Sequence, residues 1–401
     1  AGAHIQAHYY FTQFPHWDLR SDPLTEDEKE RLAAETAATI AELEEGRRGR
    51  DAARVDGDAA WVLRGGASVE LVTRHDGNVH FPQPSPDGER IAYEVNYPAE
   101  KRTELYTADL GADGLGAPTL MIPDAMSSGR SSGGKRITHM LGWSTEGEAD
   151  FAYTISDADG SQAIYVDGAQ DLIDDGTNKE PVWDPTMARF VFTSNRTGNG
   201  DLYLWDQGQQ LQLTFDAVHA EIHPSWAPDG DKVAFVRAGK GESQVMVLDV
   251  NMFSSLQLVN FSGKDSTRPS FSPDGTKVAF LSNKGTDSVV RFGLWVTDAR
   301  PGSTPRNIGP NVRIPTKGAC SWTPDGNGVI AVIDDPDRGD PIAIFPIDGG
   351  APRLLATGTT GNREPVLQVV DDRWRLFFTS EGFETAGDRT WQKLFAWDIP
   401  R

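Results

Sequence analysis

The chain has 401 residues, 38% of them hydrophobic, enough for a sizeable core, and a formal net charge of −21 at pH 7. Such a field keeps the protein soluble, repels phosphate backbones and anionic lipid surfaces, and so excludes nucleic acid as a partner while favouring cationic partners or divalent metals. A single cysteine, Cys320, rules out an intramolecular disulfide and a cysteine-built zinc site, and no apolar run is long enough to span a membrane as a helix.

The start, Ala1-Gly2-Ala3-His4, has no initiator methionine and no basic-then-apolar leader. It suits either a mature end left by signal-peptide removal or a boundary set elsewhere. Residues 1–22 carry a dense aromatic cluster, Tyr9, Tyr10, Phe11, Phe14 and Trp17, and Pro15 argues against a helix there. An extended arm is expected, with its aromatics buried either across its own body or as a docking arm on a partner. One helix is predicted over 24–45. Thr25 and Glu28 form its capping box, Leu32, Thr36, Ile40 and Leu43 a narrow apolar stripe, and the basic run after Gly46 complements its dipole. Residues 1–50 are thus an arm and helix, and residues 51–401 a second unit.

That second unit is a repeat. Four copies contain a tight turn: Ser85-Pro86-Asp87-Gly88, Ala227-Pro228-Asp229-Gly230, Ser272-Pro273-Asp274-Gly275 and Thr323-Pro324-Asp325-Gly326. Proline presets the turn, aspartate bonds its own backbone and glycine accepts positive φ. An apolar strand follows each, such as Lys277-Val278-Ala279-Phe280, then a third strand ending near an aspartate, such as Leu294-Trp295-Val296-Thr297-Asp298. Three degenerate copies fit the same frame. The ends of the first strands, at Pro84, Trp143, Trp183, Trp226, Phe271, Trp322 and Leu367, recur about every 45 residues. Four strands per repeat at this period predict an all-β β-propeller of about seven blades, with six or eight also open because of the degenerate copies. The last copy ends after its third strand. Residues 68–73 match the fourth-strand type and are expected to close the ring.

The repeat Pro-Ser-Phe-Ser-Pro-Asp-Gly-Thr-Lys-Val-Ala-Phe at 269–280, with its relative at 224–235, resembles the repeat of TolB-type propellers over about residues 55–400. The resemblance implies a propeller of the bacterial envelope, periplasmic or secreted, that binds peptides or protein partners at the mouth of its central channel. The six blades and N-terminal α/β domain of TolB itself are not matched here. Prolyl-oligopeptidase-type peptidases and oligogalacturonate lyases carry similar repeats.

Residues starting each innermost strand are the candidate channel-mouth binding set: His80, His139, Glu180, His223, Arg268, Lys317 and Glu364, with Glu221 and Arg363 beside them. They make a mixed-charge rim able to orient a bound peptide. His80, His139, His219 and His223 also form a candidate metal set, since converging imidazoles hold transition metals. The Gly129-Arg130-Ser131-Ser132-Gly133 run matches a nucleophile-elbow pattern but lies in a Ser/Gly-rich stretch without the required strand and helix. The acidic runs at 157–159 and 334–337 lack a calcium-loop frame and read as turns. The expected function is a non-catalytic, cofactor-free scaffold for an envelope protein or peptide, not membrane-spanning, and open to being a subunit of a membrane-bound complex. The alternative is a metal-dependent lyase of oligogalacturonate type.

Overall fold

A computed structural model describes residues 70–71 and 77–399, apart from 86, 98–101, 112–113, 122–135, 141–151, 157–161, 167–170, 187, 240, 287, 289–290, 316–317, 336–337, 371 and 382–391. The expected arm, helix and Ser/Gly-rich stretch lie outside these residues. The described chain is all β. Among its residues seven antiparallel sheets follow one another, six of four strands and one of five. In each the three inner strands form a meander in which neighbours in sequence pair through turns or loops.

The sheets begin at their innermost strands: Asn78–Pro84, Arg136–Met140, Asn178–Trp183, Ala220–Trp226, Ser266–Phe271, Ser321–Trp322 and Arg363–Val370. We number the sheets one to seven in that order. The seventh takes its fourth strand from Glu70–Leu71, whose residues lie opposite Ala396 and Phe395. The end of the chain is thereby joined to residues before the first sheet.

The tight turns close the first hairpin of the first, fourth, fifth and sixth sheets. Gly275 N–H donates to the Ser272 carbonyl (2.8 Å), and Gly326 N–H to that of Thr323 (2.9 Å). The aspartate between accepts from the Ser272 hydroxyl at 2.6 Å and, in the sixth sheet, from the Thr323 hydroxyl at 2.6 Å. The turn glycines Gly88, Gly230, Gly275 and Gly326 hold φ between 70° and 74°, a conformation that costs glycine no steric energy.

Sheets pack face to face around the ring. Val79, Ile91 and Tyr93 of the first sheet meet Phe377 and Leu394 of the seventh. Val191 and Leu202 of the third meet Trp226 and Phe235 of the fourth. The fifth packs on the sixth through Phe292, Leu294, Trp322 and Phe345, and the sixth on the seventh through Ile342, Leu376 and Phe378. Indole N–H groups tie successive inner strands: Trp226 donates to Val182 O at 2.8 Å and Trp322 to Ser270 O at 3.1 Å. Sheets packed face to face in this way form a propeller.

Candidate functional site

The innermost strands share one irregularity. Phe81, Glu180, His223, Arg268 and Glu364 all have positive φ, between 52° and 57°. Each lies three residues before the strand-end position of its repeat, and each precedes a proline. Register breaks at these points, between His80 and Gln83, Lys179 and Val182, Ile222 and Ser225, Thr267 and Ser270, and Arg363 and Val366. These are β-bulges, which re-aim a side chain and end the regular pairing. Proline after the bulge removes one amide donor.

The bulged amides are satisfied by the neighbouring sheet. Glu364 of the seventh sheet accepts from Phe81 N–H at 2.7 Å, and Glu180 of the third accepts from His223 N–H at 2.7 Å. The same device thus recurs at two sheet junctions.

Two groups of strand-start residues result. The first gathers at sheets three to five. Glu180 and His223 are buried, with His223 Nε2 3.5 Å from Glu180 Oε1. The other ring nitrogen of His223 bonds the Thr267 hydroxyl at 2.9 Å. Buried Arg268 donates to Gly318 O at 3.2 Å and its own carbonyl accepts from the Cys320 thiol at 3.3 Å. Burial pushes that thiol up to about 12, so it stays protonated. Lys179 reaches the same place: burial lowers it to about 8, Glu180 opposes that fall and Arg268 adds to it.

The second group lies at sheets one, six and seven. His80 Nδ1 is 3.9 Å from Glu364 Oε2. Arg313 and Arg363 both grip the fully buried Asp340, at 2.8 and 3.2 Å, and Arg313 also reaches Asp334 at 2.9 Å. Burial alone would raise Asp340, but the two guanidiniums hold it below the usual carboxylate range. Burial and the neighbouring Arg313 lower Arg363 to about 10 despite Asp340. His80, Glu364, Arg313 and Arg363 edge a cavity of about 480 Å³ walled by Pro82, Ile314, Pro315, Val332 and Val366, with Gln83, Ser321, Gln368 and Gln392 among its polar lining. A volume of this order suits one side chain or a small ligand.

His139 stands opposite Thr154 in its strand, while Lys317 and the arm residues lie outside the described chain. His219 bonds Asp216 at 3.0 Å. The candidate metal histidines whose side chains are described therefore have separate partners. No group of three or more metal-ligating side chains occurs among the described residues. Sequence spacing placed His80 at the strand start, but the bulge position of that sheet is Phe81. The signal that marks it is the X-Pro pair three residues before the strand end, present in five of the repeats. Glu381 and Gln392, which line the cavity, and Asp340, which pairs with two of its arginines, carried no sequence signal, since they come from other strands and loops.

The fold and its bulged inner strands define a β-propeller assembled from short repeats. The model of the TolB beta propeller domain matches residues 64–300, and the chain belongs to that family. A curated relative, the Tol-Pal system protein TolB of Bordetella pertussis, is 30% identical over 174 residues, 43% of this chain. The chain spans about a third of that relative's length, 35%. Among solved structures, an oligogalacturonate lyase in complex with manganese superposes with a TM-score of 0.56 at 15% identity over 84% of this chain and 94% of that one. The oligogalacturonate lyase of Vibrio parahaemolyticus gives 0.54 at 14% identity over 84% and 95%. These two likenesses concern the fold alone. No helix among the described residues is long and apolar enough to cross a membrane.

Proposed function

We propose that this chain is a non-catalytic, seven-bladed TolB-like propeller that holds a protein or peptide partner in the bacterial cell envelope, in the periplasm or outside the cell. One observation carries this reading: the cavity beside the bulged inner strands is apolar-walled and edged with polar groups, as a side-chain-sized binding site requires. Family membership supports it. The strand-start carboxylates Glu180 and Glu364 are engaged with backbone amides, a positioning role. The aromatic arm, Tyr9 to Trp17, is a second attachment point in this proposal, and a larger membrane-associated assembly is compatible with it. The lyase reading draws on likeness of fold, and its described histidines point to different partners.

The test is capture from envelope extracts on three immobilised proteins: the wild type, a chain lacking residues 1–22, and Ala331→Leu, which fills the cavity. An envelope protein held by the wild type and lost from either of the others supports the proposal. No retained partner, or one held equally by all three, overturns it.

A further inference from the structure

We propose that the outer edge of the fourth sheet docks an extended segment of a partner protein, which adds to the sheet as a further antiparallel strand and carries basic residues just after its uncharged stretch. This edge is formed by other strands than those around the cavity, and the inference goes beyond the binding role proposed above.

The edge is open and unprotected. Strand Ser254–Val259 pairs on one side with Ser243–Asp249, and among the described residues no strand pairs with its other side. Such an edge leaves alternate N–H and C=O groups to water or to another strand, so proteins ordinarily blunt it by shortness, charge or proline. The other sheets here follow that rule. The outer strands of the first, second, third, sixth and seventh sheets have two to four residues. That of the fifth, Arg306–Val312, has seven but contains Arg306 and Pro310. Ser254–Val259 has six, and residues 250–263 hold neither charge nor proline, in a chain of which 24% is charged.

The same edge is apolar where it faces out. Met252, Phe253 and Leu256 are 70%, 51% and 57% exposed, three of the ten large hydrophobic side chains exposed among the described residues. Grouped at one strand and its turn, rather than scattered singly, they mark an interaction surface. The turn is held in place: Asp249 accepts from the N–H groups of Asn251 and Met252 at 3.1 and 2.9 Å, and the Asn251 amide donates to Asp231 at 2.9 Å. Main-chain bonds along the edge would supply affinity, and these side chains the apolar contact.

Charge selects the occupant and its direction. At the turn end, residues 228–232 and 249–253 carry Asp229, Asp231 and Asp249 against Lys232, three acids to one base. Val250 N–H donates to Asp231 O at 3.0 Å, which joins the two segments. At the other end, residues 239–242 and 263–265 carry Lys240 and Lys264 against Glu242 and Asp265, two to two. Pairing throughout this sheet is antiparallel. An added strand that continues the pattern brings its C-terminal end to the aspartates, where lysine or arginine is complementary. A second copy would bring its own charge of −21, which opposes self-pairing.

The test uses the full-length chain and three acetylated, amidated peptides: Thr-Val-Thr-Val-Thr-Val-Lys-Lys, Lys-Lys-Thr-Val-Thr-Val-Thr-Val, and Thr-Val-Thr-Pro-Thr-Val-Lys-Lys. Hydrogen–deuterium exchange of the Ser254–Val259 amides, followed by mass spectrometry against peptide concentration, locates and measures binding. The first peptide is expected to slow exchange of this strand. The second needs about threefold or more peptide for the same protection, and the third gives none. Leu256→Lys removes the protection, and Asp229→Asn combined with Asp231→Asn removes the difference between the two lysine-ended peptides. Leu211→Lys on the third sheet's outer strand and Ala331→Leu in the cavity leave both intact. No protection of Ser254–Val259, equal protection by the proline peptide, protection that survives Leu256→Lys, or an equal or reversed preference between the lysine-ended peptides overturns the inference. Slower exchange of this strand with rising concentration of the protein alone assigns the edge to a second copy and overturns it too.

Discussion

Glu221 is the residue whose ionisation bears most on stability. It is 1% exposed at the start of the fourth sheet's inner strand, and burial raises its carboxyl from 4.5 to about 7, against the opposing pull of the Thr214 hydroxyl and Arg237. Between those two values the folded chain holds a proton that the unfolded chain has released. The stabilisation is complete below the unfolded value and is lost as pH rises through about 7. Glu221→Gln is neutral throughout and escapes that loss. The variant is expected to gain on the wild type as pH rises from 5 to 8, by up to about 3 kcal/mol. Urea midpoints of both proteins at the two pH values check this, and an unchanged gap would refute it. Asp201 is also raised by burial and remains in the variant, so the wild-type slope diminishes without vanishing. The sequence shows Glu221 as one more strand-start carboxylate. Its burial depends on Thr214 and Arg237, brought beside it from a connecting segment and the next strand, which spacing along the chain does not reveal.

At the scale of the element, the bulged inner strand is the unit that repeats. Its amide would be orphaned by the positive-φ residue, and a glutamate from the preceding sheet accepts it at both the 364–81 and 180–223 junctions. A glutamine keeps an oxygen there and alanine does not. Glu180→Ala is expected to cost about 2–3 kcal/mol and Glu180→Gln under about half of that, because an unmade buried bond carries the full desolvation cost. The part-buried 364–81 bond predicts a smaller loss for Glu364→Ala. Unfolding midpoints of the three variants test the order, and equal losses for alanine and glutamine at position 180 would remove the backbone role. The repeat spacing already put Glu180, His223, Arg268 and Glu364 among the residues that start the inner strands. What it could not show is the bulge, a property of two strands in register. For the same reason it chose His80 over its neighbour Phe81.

For the whole molecule, the turn chemistry made the architecture legible. Pro-Asp-Gly turns at fixed offsets from apolar strands yield a meander whose sheets must stack, because each leaves an apolar face unpaired. The cavity was not legible, because it arises where the repeat fails. Around the sixth sheet Gly318, with φ of 71°, interrupts what should be a regular inner strand. Closure of the ring is the remaining long-range feature, and it rests on the pairing of Glu70–Leu71 with the last strand, Lys393–Ile399. Without that pairing the last strand becomes an open edge, a template for association with other chains. A chain lacking residues 1–76 is therefore expected to melt on the order of 5 °C lower and to self-associate with rising concentration. A chain lacking only residues 1–50 keeps the closing strand, and should stay monodisperse with nearly the wild-type midpoint. Calorimetry and light scattering on the two proteins decide the matter. If both behave alike, closure by Glu70–Leu71 contributes little, and the stability of the ring must come from the apolar packing of the first sheet on the seventh through Val79, Tyr93 and Phe377.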